Sequence, residues 1–240
     1  MDFSAETKVS QVVISSPASR RILKEAGIDY CCGGDKPLKD ACLQADVPAE
    51  EILARLRENA KLAATEEEPW VSRALSDLTR HIREHHHKYV RHVIPHILAL
   101  LGKVREKHGG KYPELGEIER LFAEVAHEML MHMQKEEHIL FPYVDSLERS
   151  ANGEGTLELP FFQTVRNPIH AMMKEHDSAG DLVRRIRESS NKYNPPADAC
   201  ATFQAAYQEL RGFEEDLHLH VHLENNILFP RAVELEAMIL

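Results

Sequence analysis

Several common classes of protein are excluded by what this chain has little of. It has only four cysteines in 240 residues, two of them adjacent. That is no disulfide framework, and it fits a reducing, cytoplasmic setting. No apolar run approaches the roughly 20 residues that span a bilayer. The N-terminal MDFSAETKVS has no basic segment followed by an apolar one, so no signal peptide is expected. Basic residues are the minority: 29 Lys and Arg against 39 Asp and Glu leave a formal charge of −10, which argues against a nucleic-acid partner. Hydrophobic residues make up 43%, enough for a proper core. Histidine is plentiful at 15 residues, and its placement carries the argument.

One string occurs twice. From His132 the chain reads HMQKEEHILFP, and from His220 it reads HVHLENNILFP. His, Glu and Pro recur at one offset (220 − 132, 224 − 136 and 230 − 142 are all 88), which indicates internal duplication. A spacing of four is about one helical turn, so His132 and Glu136 share a helix face, as do His220 and Glu224. The Pro after each run predicts a helix end or kink. Imidazole plus carboxylate, twice, is a ligand set for a pair of iron, manganese or zinc ions.

Residues 1–60 read as a small helical unit. A segment opening at Pro17 stops at Gly27, and DYCCGG follows as a turn carrying Cys31 and Cys32. Joined to each other, adjacent cysteines make a small strained ring. The pair therefore reads as free thiols or metal ligands, made accessible by Gly33 and Gly34; the plain alternative is two small buried residues. Cys42 and Cys200 read as packing. Residues 61–70, KLAATEEEPW, read as a linker. The remainder, 71–240, reads as four long helices, roughly 71–107, 114–148, 160–190 and 198–228, with turn-forming breaks between them. The fold class is all-α: an up-down four-helix bundle behind a small N-terminal helical domain.

Polar residues interrupt the apolar stripes of these helices. The third stripe, Val165, Ile169, Met172, His176, Ala179, Val183, Ile186, runs through His176. The second contains Glu128, His132 and Glu136, and the fourth contains His220 and Glu224. His127, His138, His170, His218 and His222 fall off the stripes, with His218 and His222 expected to be solvated. In the first helix several histidines compete. His176 precedes His220 by 44 residues and His87 precedes His132 by 45, against 47 for His85. His87 is chosen and His86 is the runner-up. A buried unpaired carboxylate is costly, and a metal ion removes that cost.

With DYCCGG ahead of HMQKEEHILFP and HVHLENNILFP, and with EHDSAG at Glu175–Gly180, the whole chain resembles the repair-of-iron-centres family (ScdA/YtfE type), whose bundle is hemerythrin-like. The resemblance implies two non-haem irons in an oxo- and carboxylate-bridged centre. His87 and His132 would hold one iron, His176 and His220 the other, with Glu136 and Glu224 bridging. It implies a stress-response role in restoring iron–sulfur clusters damaged by nitric oxide or peroxide, with damaged cluster proteins as partners. Iron donation is the leading expectation. Nitric oxide binding or reduction at the centre, and oxygen or nitric oxide sensing or scavenging, are the alternatives. An oxygen-carrying hemerythrin typically has five histidines; four here imply a more open, less firmly held centre. Glu128 and Glu175 are expected to orient histidines or to form an acidic path for iron, and Cys31 and Cys32 to meet a target or accept iron. A monomer or homodimer is expected.

Overall fold

The computed structural model describes residues 3–62 and 69–240, so residues 63–68 of the expected linker lie outside the described residues. Among the described residues the architecture is helical, with one isolated β-bridge between Lys8 and Pro37.

The N-terminal part folds as α1 (Val9–Ser15), α2 (Ser19–Glu25), α3 (Leu38–Gln44) and α4 (Ala49–Leu62). Short helices of this kind are held by tertiary packing rather than by propensity. Here Val9, Val12, Leu23, Leu38, Ile52 and Leu56 are all buried. α2 stops because Gly27 takes a left-handed φ of +72°, letting the Ile28 amide donate back to the Leu23 carbonyl at 2.9 Å. That stop turns the chain into the cysteine loop.

The rest forms four rods. α5 (Leu75–His81) runs into α6 (Lys88–His108), α7 (Glu114–Lys135) into α8 (Phe141–Ala151), and α10 (Ala201–Leu223) into α11 (Phe229–Ile239); α9 (Arg166–Ser189) is unbroken. α6 packs on α7 and α10, and α7 packs on α9, giving the expected bundle. The two prolines of the duplicated string do not end their helices. Each follows a π-helical segment, Glu136–Leu140 or Glu224–Leu228, and the rod continues beyond it. Pro142 and Pro230 have no N–H to give an α-helical ladder, and a wider turn accommodates the ring. The fourth rod therefore reaches Ile239 rather than 228, and the second reaches Ala151. The first begins at Leu75 rather than 71, and the third at Arg166 rather than 160.

Two rod starts are capped by distant carboxylates. Glu148 accepts from the Leu75 and Ser76 amides at 2.6 and 3.0 Å. Buried Glu236 accepts from the Val165 amide and the Tyr143 hydroxyl, both at 2.8 Å.

The apolar core is divided in two along the bundle. One part includes Val90–Val104, Leu115–Met133, Ala179–Ile186 and Phe203–Val221, and it is continuous with the core of α1–α4. The other includes Leu75–Ile82, Leu140–Leu147, Val165–Met172 and Leu223–Ala232. A cluster of buried histidines and glutamates lies at the junction between them.

Candidate metal centre

His87, His132, Glu136, His176, His220 and Glu224 are each at most 1% exposed and meet at that junction. The histidines come from three rods and the π segment ending at His87; the two glutamates open the other two π segments. A widened turn displaces the backbone by a fraction of a turn, and this aims each glutamate at the bundle axis.

The ligand atoms form two groups. His87, His220, Glu136 and Glu224 make one; His132, His176, Glu136 and Glu224 make the other, all donor atoms within a group lying within 4.8 Å of one another. The grouping corrects the expected one: His87 stands with His220, not His132, and His132 with His176, not His220. The duplication pairs like positions within a half, but in the bundle the first rod packs on the fourth and the second on the third. Both carboxylates are common to the two groups.

Three of the four histidines have their Nδ1 engaged. His87 donates to Glu137 Oε1 at 2.7 Å, His132 to Glu175 Oε2 at 2.9 Å, and His176 to Asn225 Oδ1 at 2.9 Å. The neutral tautomer so fixed leaves Nε2 as a lone pair facing inward. His87 Nε2 lies 3.3 Å from Glu136 Oε2, His132 Nε2 3.2 Å from the same oxygen, and His176 Nε2 3.1 Å from Glu224 Oε2. His220 Nε2 lies 3.0 Å from Glu224 Oε1. Among the described residues His87 Nε2, both Glu136 oxygens and Glu224 Oε2 are buried without a hydrogen-bond partner. Lone pairs and carboxylates that converge unpartnered in an apolar core fit cations as their missing partners.

The electrostatics point the same way. Burial opposes charge on His132, yet Glu136, Glu175 and Glu224 push it up to about 10. Burial likewise opposes charge on Glu224, but His220 and His176 hold it well below the usual carboxylate range. The hydrogen bond from His132, helped by Lys135, brings Glu175 down to about 2.

The two phenylalanines of the duplicated string line the site. Phe141 stacks on His87 (5.7 Å, 16°) and Phe229 on His176 (6.0 Å, 3°), so each half of the chain closes a histidine of the preceding rod.

Of the other expected residues, Glu175 holds His132, whereas Glu128 is half-buried and accepts from Ser178 Oγ at 3.0 Å. His86, the runner-up, is buried but outside both groups: it stacks on His220 (5.3 Å, 9°) and donates from Nδ1 to Asp216 at 2.9 Å. His222 is buried rather than solvated, and His218 is half-buried; burial lowers them to about 3 and about 4. Both lie under the N-terminal part, edge-on to the Tyr30 ring. Cys200 packs against the core as expected, though not from within a helix. It caps α10, half-buried, 3.2 Å from His108 Nε2.

Sequence reasoning missed Glu137 and Asn225. The signal was available: each directly follows a shared glutamate, and 225 − 137 is again 88. Asn225 and Asn226 also reach the cysteine loop, donating to the carbonyls of Cys31 (3.4 Å) and Tyr30 (3.1 Å).

Fold and site together define a four-helix bundle with paired histidine–carboxylate clusters. The chain belongs to the hemerythrin HHE cation-binding domain family, whose model matches residues 78–232. Residues 5–60 match ScdA_N, a domain of unknown function. Relatives match nearly end to end. A Haemophilus influenzae protein named a probable iron-sulfur cluster repair protein is 32% identical over 234 residues, covering 95% of this chain and 97% of that one. An Enterobacter protein named iron-sulfur cluster repair protein YtfE is 32% identical over 225 residues, covering 94% and 96%. An Escherichia coli protein of the same name is 32% identical over 226 residues, covering 94% and 96%. Among the described residues no helix is long and apolar enough to cross a membrane.

Proposed function

We propose that this chain holds two iron ions between Glu136 and Glu224 and repairs damaged iron–sulfur clusters by giving that iron up. The observation carrying this reading is the pair of buried clusters sharing both carboxylates, in a chain whose near-full-length relatives are named for cluster repair. His87 and His220 would hold one iron, His132 and His176 the other. Each iron would then draw on two imidazoles and on the shared carboxylates. That is about four bonds of the six iron commonly takes. Iron is the cargo here, and an incompletely saturated ligand set suits its release.

The chain's own residues set the terms of release. Glu137, Glu175 and Asn225 hold three imidazoles in the tautomer that presents Nε2. Glu175 is also 34% exposed at its side chain and paired with Lys135, so it links the buried His132 to solvent. Displacement of that carboxylate loosens one ligand without opening the bundle. Glu128 belongs to the same face as a second acidic group. On this reading Glu128→Leu slows iron transfer while leaving the iron absorption spectrum in place.

A second reading, nitric oxide binding or reduction at two adjacent open irons, is favoured by the Phe141 and Phe229 rings beside His87 and His176. An apolar wall excludes water and admits a small apolar gas. Mixing iron-loaded, reduced protein anaerobically with a cluster-damaged client separates the two. Iron recovered in the client supports donation; in a parallel sample supplied with nitric oxide and an electron donor, nitrous oxide formed over many turnovers with iron retained supports the second.

A further inference from the structure

The cysteine loop is built as more than a turn. Asp29 Oδ1 accepts from the Cys31 and Cys32 amides at 2.9 and 3.0 Å, and from the Cys31 thiol at 3.1 Å. An Asx turn accounts for the two amide bonds. It does not account for both sulfurs converging with that carboxylate, all three ligand atoms lying within 4.8 Å of one another. The group opens on a cavity of about 290 Å³ between α2, α9 and α10, lined also by His218, Lys24, Arg184 and Arg187. Cys32 Sγ lies close against α9, 3.9 Å from where a Cβ on Gly180 would stand. A larger residue there would fill this space.

We propose that Asp29, Cys31 and Cys32 form a separate site for one thiophilic divalent cation, ferrous iron or zinc in class. Two sulfurs and one carboxylate oxygen are a three-point borderline-soft set, and the cavity leaves room for a fourth ligand from solvent, His218 or a client. On binding, both thiols become thiolates and their protons pass to the buffer; no oxidant or reductant takes part. Two thiolates and a carboxylate outweigh a divalent ion by one negative charge; the nearby cations Lys24, Arg184 and Arg187 are paired with Glu215, Asp181 and Glu214, so that charge stays on the site.

The site is tied to the bundle clusters by one side chain. Asn225 Oδ1 accepts from His176 Nδ1 at 2.9 Å, and Asn225 Nδ2 donates to the Cys31 carbonyl at 3.4 Å. A cation that tightens the cysteine loop therefore pulls on the group that orients His176. As a waypoint for departing iron, this site rests on the repair reading; as a cation site, it does not.

Cobalt(II) is the probe. Full-length protein with its bundle clusters already iron-loaded is titrated anaerobically with cobalt, following the near-ultraviolet thiolate-to-cobalt band. The expected result is one cobalt per chain with that band. Cys31→Ser/Cys32→Ser abolishes it and Cys200→Ser retains it. Asp29→Asn, which keeps an oxygen acceptor for the two amides, weakens binding roughly tenfold or more. No band in the unaltered protein, or a band that survives in the double serine variant, overturns the site. A His132→Ala protein, depleted in bundle iron, is expected to keep the band. If the band is present but the unaltered, iron-loaded protein restores no client cluster, the repair reading falls and the cation site stands.

Discussion

His132 Nε2 and His176 Nε2 face each other at 3.0 Å while the Nδ1 of each is already engaged, by Glu175 and Asn225 respectively. Two lone pairs so placed repel unless a proton or a cation lies between them. His132→Ala should therefore lower bound iron from about two per chain toward one, whereas Glu136→Ala, which removes a carboxylate common to both groups, should lower it toward none. Metal analysis of the purified variants checks this. Equal losses from the two substitutions would contradict the shared role of Glu136.

The residues behind the histidines give a milder expectation. Asn225→Leu leaves all six converging side chains in place but removes the acceptor for His176 Nδ1. Iron affinity should fall by about ten- to hundredfold, measured by competition with a ferrous chelator. Glu137→Gln, which can still accept a hydrogen bond from His87, should fall less.

Loading the clusters should stabilise the fold. Ligand present at a hundred times its dissociation constant contributes about 2.7 kcal/mol. For a chain of this size that corresponds to a rise in Tm of about 5–10 °C. Differential scanning calorimetry of iron-free and loaded protein reads this directly, and Glu136→Ala should erase the difference.

His81 supplies a pH expectation away from the clusters. Its ring lies between Trp70 and His85, each centroid 4.3 Å away, and burial, with His85, His86 and Arg73 nearby, lowers it to about 4. An unfolded histidine titrates near 6.5. Between these values the unfolded chain binds the proton and the folded one does not. This residue's contribution is thus full above the unfolded value and lost as pH falls through the window to about 4. Trp70 is the chain's one tryptophan. Its fluorescence should titrate with a midpoint near the lowered value, and Trp70→Ala should return the His81 NMR titration toward the ordinary range.

Docking of the N-terminal part is tested at Gly34. A Cβ there would collide with the Asn226 amide, which donates to the Tyr30 carbonyl and to His222 Nδ1. Gly34→Val should cost about 1–3 kcal/mol by overcrowding. It should also speed proteolysis between α4 and α5 while leaving bundle iron in place.

Much of this was legible from one duplicated string. Its offset of 88 named two histidines and two glutamates, and the apolar stripe through His176 named a third histidine. Two things were not legible. The grouping of His87 with His220 depends on which rods are neighbours, and the offset does not encode that. The burial of His222 depends on a surface that only the N-terminal part covers, so a stripe drawn on one helix placed it in solvent. Pro230 misled for a local reason: a π turn spares the hydrogen bond that the proline cannot make, so the fourth helix continues past 228, just as the second runs through Pro142 as expected.

The central claim is that iron held between Glu136 and Glu224 is cargo. The direct measurement is to load the protein with labelled iron under anaerobic conditions, reduce it, mix it with a cluster-damaged client, and follow the label. The account predicts about two irons per chain at the start and labelled iron in the client's restored cluster at the end. Label that stays with this chain while the client remains unrepaired would contradict it.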